Sequence, residues 1–127
     1  MINILLVGFG GFVGSVLRYT VSGYVQQSVR TLDFPYGTLA VNVFGCFIIG
    51  FLSQLAESRG VFTSESRLFV FTGFLGGFTT FSSFGNETLN LVRDSQAMNA
   101  FANVGANLVI GLFAVWLGRT LAYLVWR

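Results

Sequence analysis

The chain has 127 residues, of which 54% are hydrophobic and 9% are charged, whereas about a quarter of the residues in a soluble domain are charged. Histidine and lysine are absent, so the familiar general bases, Schiff-base lysines and histidine metal ligands are missing and an enzyme is not expected. The net charge of +2 is spread over isolated arginines, which disfavours nucleic acid as a partner. The composition indicates a membrane protein.

Four windows with few or no charged residues are long enough to cross a bilayer, because a span needs about 20 mostly apolar residues. The first window lacks the basic start and the small-residue cleavage site of a signal peptide, so we expect it to be retained. The links between the windows are too short for a soluble domain. We therefore predict an all-α membrane protein with a single four-helix transmembrane domain, residues 1–127, with approximate spans 2–24, 36–56, 67–93 and 97–125.

The arginines divide almost equally between the two sides of a four-span chain. One side carries Arg59, Arg67, Arg119 and Arg127, and the other carries Arg18, Arg30 and Arg93. An excess of arginine and lysine on one side normally sets orientation, so this weak bias permits insertion both ways. Two oppositely oriented copies would then pair about an axis in the membrane plane.

Small residues recur four apart in the first and third spans. Gly10 pairs with Gly14, and Gly73 with Gly77; Gly11 and Ser15 show the same spacing. Such spacing lets helix backbones approach closely in lipid. These residues indicate assembly rather than activity.

Two spans carry polar stripes. Thr38 and Asn42 in the second span are four apart and share one helix face. In the fourth span Asn99, Asn103 and Asn107 repeat at the same interval. Interhelical hydrogen bonding, worth about 0.6 kcal/mol per contact, and a water- or ion-lined path both explain them; three stacked asparagines favour the path.

The third span contains GFLGGFTTFSSFGNE, residues 73–87. Its glycine and threonine pairs predict a break, because each glycine costs about 1 kcal/mol in a helix. Non-helical backbone at membrane depth survives only where it is buried or lines a cavity, and its freed carbonyls can hold a cation. The recurrence of Phe78, Phe81 and Phe84 predicts that three rings follow the break along one helix face.

One cation and one acid lie near the ends of these spans. Arg18 either extends its side chain to the interface or sits at a pore mouth and draws anions. Glu87, at the far end of the third span, is expected at the interface.

Three motifs follow one another across essentially the whole chain: GGFVGSVLRY, GTLAVNVFGCFIIG and GFLGGFTTFSSFGNE. Together they closely resemble the Fluc (CrcB) fluoride channels, bacterial membrane proteins that let cytoplasmic fluoride leak out. The resemblance implies a fluoride-selective passive channel in the bacterial inner membrane. It also implies a dual-topology homodimer whose two antiparallel subunits form two separate fluoride pores.

The resemblance also implies roles for particular residues, to which our reasoning from hydrogen-bond donors adds the two serines and the fourth-span asparagines. The expected pore residues are Phe81, Phe84, Asn42, Thr38, Ser82, Ser83, Asn103 and Asn107; Arg18 and Glu87 are expected in the vestibule. Gly76 and Thr79 are expected to hold one structural sodium ion at the dimer centre through backbone carbonyls. Where the family often has tyrosine or serine in the fourth span, this chain has Asn103, Asn107 and then Gly111.

Two other functions compete with a channel. A proton-coupled exporter resembling the small multidrug-resistance proteins would need an acidic residue at the middle of a span, and the sequence has none there. A non-conducting assembly protein, held together by the glycine motifs, would pass no ions.

Overall fold

The computed structural model describes residues 1–31 and 33–126. Four helices in this part of the chain are long and apolar enough to cross a membrane: the first (Ile2–Val29), the second (Tyr36–Arg59), the third (Ser64–Arg93) and the fourth (Ala97–Val125). The predicted all-helical architecture with four spans is confirmed. Arg127, which the charge balance includes, lies outside the described residues.

The first link is organised by one side chain, that of Gln26. Its Nε2 donates to the carbonyls of Thr31 at 2.7 Å and Phe34 at 3.0 Å. Its Oε1 accepts the N–H of Gly37 at 3.0 Å, one of the first N–H groups of the second helix, which have no partner within the helix. Because Gln26 satisfies backbone groups on both sides of the turn, the first two helices are held as an antiparallel pair.

Glycines set which helices touch. A methyl group at Gly14 would overlap the carbonyl oxygen of Phe74, and one at Gly77 would lie 2.6 Å from the carbonyl oxygen of Gly11. The first helix therefore packs backbone against backbone on the start of the third, as the glycine spacing predicts.

A second glycine contact joins the second and fourth helices. Methyl groups at Gly50 and Gly118 would overlap the carbonyl oxygens of Val115 and Phe47 respectively. The same ends are tied by an ion pair between Arg119 and Glu57.

The third helix is interrupted at the middle of its span, as predicted. Its first half comprises Ser64–Arg67, a π-helical stretch Leu68–Leu75 and Gly76–Phe78, and its second half is Phe81–Arg93. Thr79 and Thr80 between them are extended. The glycine pair is still helical, so the interruption lies one turn later than the glycines alone suggest.

The fourth helix changes pitch around Asn107. Its residues Ala106–Ile110 form a π-helical turn between the α-helical stretches Ala97–Gly105 and Gly111–Val125. Turns of this kind rotate the side chains that follow them and are frequent at functional sites.

Candidate functional site

A polar cavity of about 670 Å³ opens between the first helix, the start of the second and the second half of the third. Side chains of both charges line it, with several hydroxyls among them; they include Arg18, Thr38, Thr80, Ser83, Glu87 and Asn90. Both residues expected in the vestibule therefore line one cavity. Arg18 shares the cavity with three carboxylates, those of Asp33, Glu87 and Asp94, so its attraction for anions acts only close to the guanidinium.

Thr38 and Glu87 join the second helix to the third at this cavity. The Thr38 hydroxyl donates to Glu87 Oε1 at 2.7 Å. Glu87 Oε2 is buried and has no hydrogen-bond partner among residues 1–31 and 33–126. Glu87 is thus half-buried beside the cavity, where it is one of three carboxylates, with Asp33 and Asp94.

The interruption of the third helix is capped from within. Thr80 has extended backbone angles, and its Oγ1 accepts the N–H of Ser83 at 3.2 Å, which is how a threonine starts a new helix. The Thr80 hydroxyl also donates to Ser83 Oγ at 3.1 Å and lies 3.3 Å from Ser82 Oγ. The two serines expected in the pore therefore form a hydroxyl cluster with Thr80, beside the cavity.

Asn42 of the second helix satisfies the backbone at the interruption. Its Oδ1 accepts the N–H of Thr80 at 2.8 Å, and its Nδ2 donates to the carbonyl of Thr80 at 3.1 Å. The side-chain amide thus replaces the carbonyl that would accept the Thr80 N–H in an intact helix. It adds a contact to the Thr80 carbonyl, which as that of the cap residue already accepts the first hydrogen bond of the next helix.

The fourth helix reaches this point through two of its asparagines. Asn42 Nδ2 also donates to Asn107 Oδ1 at 3.2 Å, and Asn107 Nδ2 donates to Asn103 Oδ1 at 3.0 Å. Asn103 Nδ2 donates to Thr88 Oγ1 at 2.9 Å. Asn99, the third member of the predicted stripe, instead donates to Gln96 Oε1 at 2.8 Å and lies outside this network.

The phenylalanines divide into two groups. Phe81 and Phe84 pack with ring centroids 5.4 Å apart and planes inclined by 56°. Phe78 precedes the interruption and stacks on Phe74 at 6.0 Å. The prediction that Phe78 shares one helix face with Phe81 and Phe84 is therefore wrong, because the two extended threonines redirect the chain between them.

The carbonyls of Gly76 and Thr79 are among those that lose their helical partners at the interruption. The N–H of Thr80, which would bond to Gly76 in a helix, donates to Asn42, and the N–H of Ser83, which would bond to Thr79, donates to Thr80 Oγ1. Gly76 and Thr79 both line a recess of about 250 Å³ between the second and third helices. Freed carbonyl oxygens are suitable ligands for sodium.

Sequence reasoning missed two residues of the network, Thr80 and Thr88. Thr80 carries a local signal, since a threonine three residues before a serine can cap a helix start. Thr88 follows Phe84 by four residues, and its hydroxyl donates to the Phe84 carbonyl at 2.7 Å. No sequence pattern distinguishes it, because its other partner, Asn103, comes from a different helix.

Residues 5–119 match the family described as "CrcB-like protein, Camphor Resistance (CrcB)". The chain is 51% identical over 120 residues to the "Fluoride-specific ion channel FluC" of Opitutus terrae, covering 93% of this chain and 90% of that protein. It is 48% identical to the protein of the same name from Chlorobaculum tepidum, covering 98% and 97%. It is 44% identical to "Fluoride-specific ion channel FluC 1" of Methanosarcina acetivorans, covering 94% and 89%.

Proposed function

The chain belongs to the CrcB family, and from this membership we propose that it is a fluoride-selective channel through which fluoride passes down its electrochemical gradient. The match over residues 5–119 confirms the resemblance read from the three motifs. Because the relatives are named as ion channels, the prediction that the chain is not an enzyme is confirmed.

One structural observation carries the proposal beyond family membership: an interrupted helix, clamped by Asn42, lies beside a polar cavity in an otherwise apolar chain. Irregular backbone is tolerated in a membrane where it lines a cavity or is buried in protein. An assembly protein held by glycine contacts would need neither feature.

Fluoride transfer into an apolar medium without compensating partners would cost tens of kcal/mol in the idealised limit. Hydroxyls and amides donate hydrogen bonds to an anion, and phenylalanine rings present a weakly positive edge. Several moderate sites in series allow an ion both to enter and to leave. The residues proposed to contact the ion are Phe81, Phe84, Asn42, Thr38, Ser82 and Ser83. Asn103 and Asn107, also expected in the pore, adjoin Asn42 from the fourth helix.

Arg18 and Glu87 give the proposed vestibule its electrostatics. Arg18 attracts the anion into the cavity, where it exchanges water for the hydroxyls of the third helix. Glu87, held by Thr38, repels anions from the depth at which its carboxylate lies. Two further carboxylates, those of Asp33 and Asp94, line the same cavity, so the proposed attraction for anions is local to Arg18.

The nearly balanced arginines support the proposal of a homodimer. Phe81, a proposed pore residue, is 81% exposed in the single chain, so a closed pore needs a partner at this ring. A second, oppositely oriented copy would cover this ring and complete two pores, and the nearly balanced arginines permit that arrangement. Labelling of single cysteines placed at the two ends of a Cys46→Ser chain would contradict it if every copy reacted from one side only.

We also propose a structural sodium ion at the centre of this dimer, as the family resemblance implies. Gly76 and Thr79 would hold it through their freed carbonyls, and the ion would supply positive charge that neutralises those carbonyl dipoles. Equilibrium dialysis of the purified dimer against radioactive sodium tests this, since an absence of retained sodium would contradict it.

We also propose that the chain resides in a bacterial inner membrane and releases cytoplasmic fluoride.

We predict that the Phe81→Ile, Phe84→Ile double variant passes fluoride at least about tenfold more slowly than the unaltered chain, because isoleucine removes two ring edges from the pore. Fluoride efflux from liposomes measures the rate. Phe101→Ile, Phe113→Ile is the matched control, since both of these rings are largely exposed on the fourth helix. Unaltered efflux through a folded Phe81→Ile, Phe84→Ile variant would refute a pore role for these rings.

A further inference from the structure

We propose that Asn103 and Asn107 are positioning residues, which hold Asn42 and the second half of the third helix in place through one continuous hydrogen-bond chain. The inference rests on the proposed function, because it concerns residues that adjoin the proposed pore. It assigns the two fourth-helix asparagines a role through Asn42 rather than through direct contact with the anion.

The chain of hydrogen bonds begins at the interruption of the third helix. The N–H of Thr80 donates to Asn42 Oδ1 at 2.8 Å, and Asn42 Nδ2 donates to Asn107 Oδ1 at 3.2 Å. Asn107 Nδ2 then donates to Asn103 at two acceptors, the backbone carbonyl at 2.9 Å and Oδ1 at 3.0 Å. Each amide therefore accepts on one side and donates on the other.

The chain ends one turn further along the same half-helix from which it starts. Asn103 Nδ2 donates to Thr88 Oγ1 at 2.9 Å, and the Thr88 hydroxyl donates to the carbonyl of Phe84 at 2.7 Å. Thr80 and Phe84 are thus joined by way of the second and fourth helices. This loop fixes the half-helix that presents Phe81 and Phe84.

The backbone N–H of Thr80 gives the series of hydrogen bonds its direction. A backbone N–H can only donate, so it determines how the three amides are turned, and the Thr88 hydroxyl at the other end can donate or accept to match. If any one amide were turned by 180°, its NH₂ group would face another donor or its oxygen would face another acceptor. Asn103 is fully buried, with 0% exposure, so it has no water with which to repair such a mismatch.

The donors of these amides are already engaged within the protein. Asn107 Nδ2 contacts two oxygens of Asn103, and Asn42 Nδ2 contacts the carbonyl of Thr80 as well as Asn107 Oδ1. Asn107 therefore supplies a third contact that holds Asn42 in place, beside the two that Asn42 makes with the backbone of Thr80. Without Asn107, the Asn42 amide loses one of the contacts that keep its Oδ1 on Thr80.

A double-mutant cycle tests this coupling. Asn107→Leu keeps a similar volume and removes both the acceptor and the donors, and we expect it to lower fluoride efflux from liposomes about tenfold. In an Asn42→Leu background, measured at higher protein density, the same change should alter efflux by less than about twofold. A role in packing alone would give the same fold-loss in both backgrounds, and that result would overturn the inference.

A spectroscopic readout and a control complete the experiment. The side-chain amide signal of Asn42 in a ¹H–¹⁵N spectrum should shift in Asn107→Leu but not in Asn99→Leu. Asn99 donates to Gln96 and takes no part in the hydrogen-bond series that includes Asn42. Asn99→Leu should also leave efflux within about twofold of the unaltered channel. An unmoved Asn42 signal in Asn107→Leu would contradict the coupling.

The outcomes separate the inference from the function on which it rests. Absence of fluoride efflux through the folded, unaltered chain would overturn the proposed function itself. Efflux through that chain with additive losses in the cycle would overturn only the positioning role. If Asn107→Leu and Asn107→Ala both fail to give folded protein, the asparagines are requirements of assembly and the inference is likewise overturned.

Discussion

Asn42→Leu is expected to reduce fluoride efflux about a hundredfold. The substitution leaves the N–H of Thr80 without the side-chain oxygen that accepts it at 2.8 Å, and it removes a second contact, at 3.1 Å, to the Thr80 carbonyl. A buried backbone N–H left without a partner costs about 1–3 kcal/mol. The interruption would then relax toward a geometry that satisfies these groups and displaces Phe81.

Efflux from liposomes reconstituted at equal protein density measures this loss. Asn99→Leu makes the same chemical change at a position outside the clamp and is the matched control. Dimer content by size exclusion shows whether Asn42→Leu still assembles. Efflux at the unaltered rate through this variant would mean that Thr80 does not need Asn42.

Gly14→Ala is expected to destabilise the protein by about 3 kcal/mol or more. The added methyl group would overlap the carbonyl oxygen of Phe74 and lie 2.9 Å from the backbone nitrogen of Phe78. Backbone atoms within a helix cannot rotate away as a flexible side chain does. The first and third helices would have to separate along their whole contact.

Unfolding of the purified protein in detergent micelles, followed by circular dichroism against denaturant, measures this loss. Gly8→Ala is the control on the same helix, because a methyl group there would meet no atom within 4 Å. Equal stability of the Gly14→Ala and Gly8→Ala variants would contradict the close contact between the first and third helices.

The sequence predicts the four spans because lipid imposes a simple requirement of length and hydropathy. The first and second helices continue beyond their apolar windows, to Val29 and Arg59, since a helix need not end where the hydrocarbon core ends. Glycine spacing indicates close packing but not the partner, which depends on the three-dimensional arrangement of all four helices.

The sequence predicts the interruption of the third helix at its glycine and threonine pairs, but not that only the threonine pair is extended. Gly76 and Gly77 have low helix propensity and yet remain helical. The break falls at Thr80 because a hydroxyl caps the next helix from within and Asn42 reaches its backbone from another helix. The cap is a local feature of the sequence, whereas the contact from Asn42 depends on how the helices pack.

The polar stripes of the second and fourth helices indicated a functional face. The prediction that Asn99, Asn103 and Asn107 share one face assumed that the fourth helix is a regular α-helix. The π-helical turn Ala106–Ile110 follows Asn103 and includes Asn107, and the two amides bond to each other. Asn99 lies a turn earlier and bonds to Gln96. A hydrogen-bond chain that passes through three helices has no signature in a single sequence.

The central claim, a fluoride-selective passive channel, is tested most directly by ion efflux from liposomes that contain the purified, folded protein. Matched liposomes are loaded with fluoride or chloride, a potassium ionophore balances the charge, and ion-selective electrodes follow release. We predict that fluoride leaves rapidly while chloride is retained. Release of chloride as fast as fluoride, or release of neither ion, would contradict the claim.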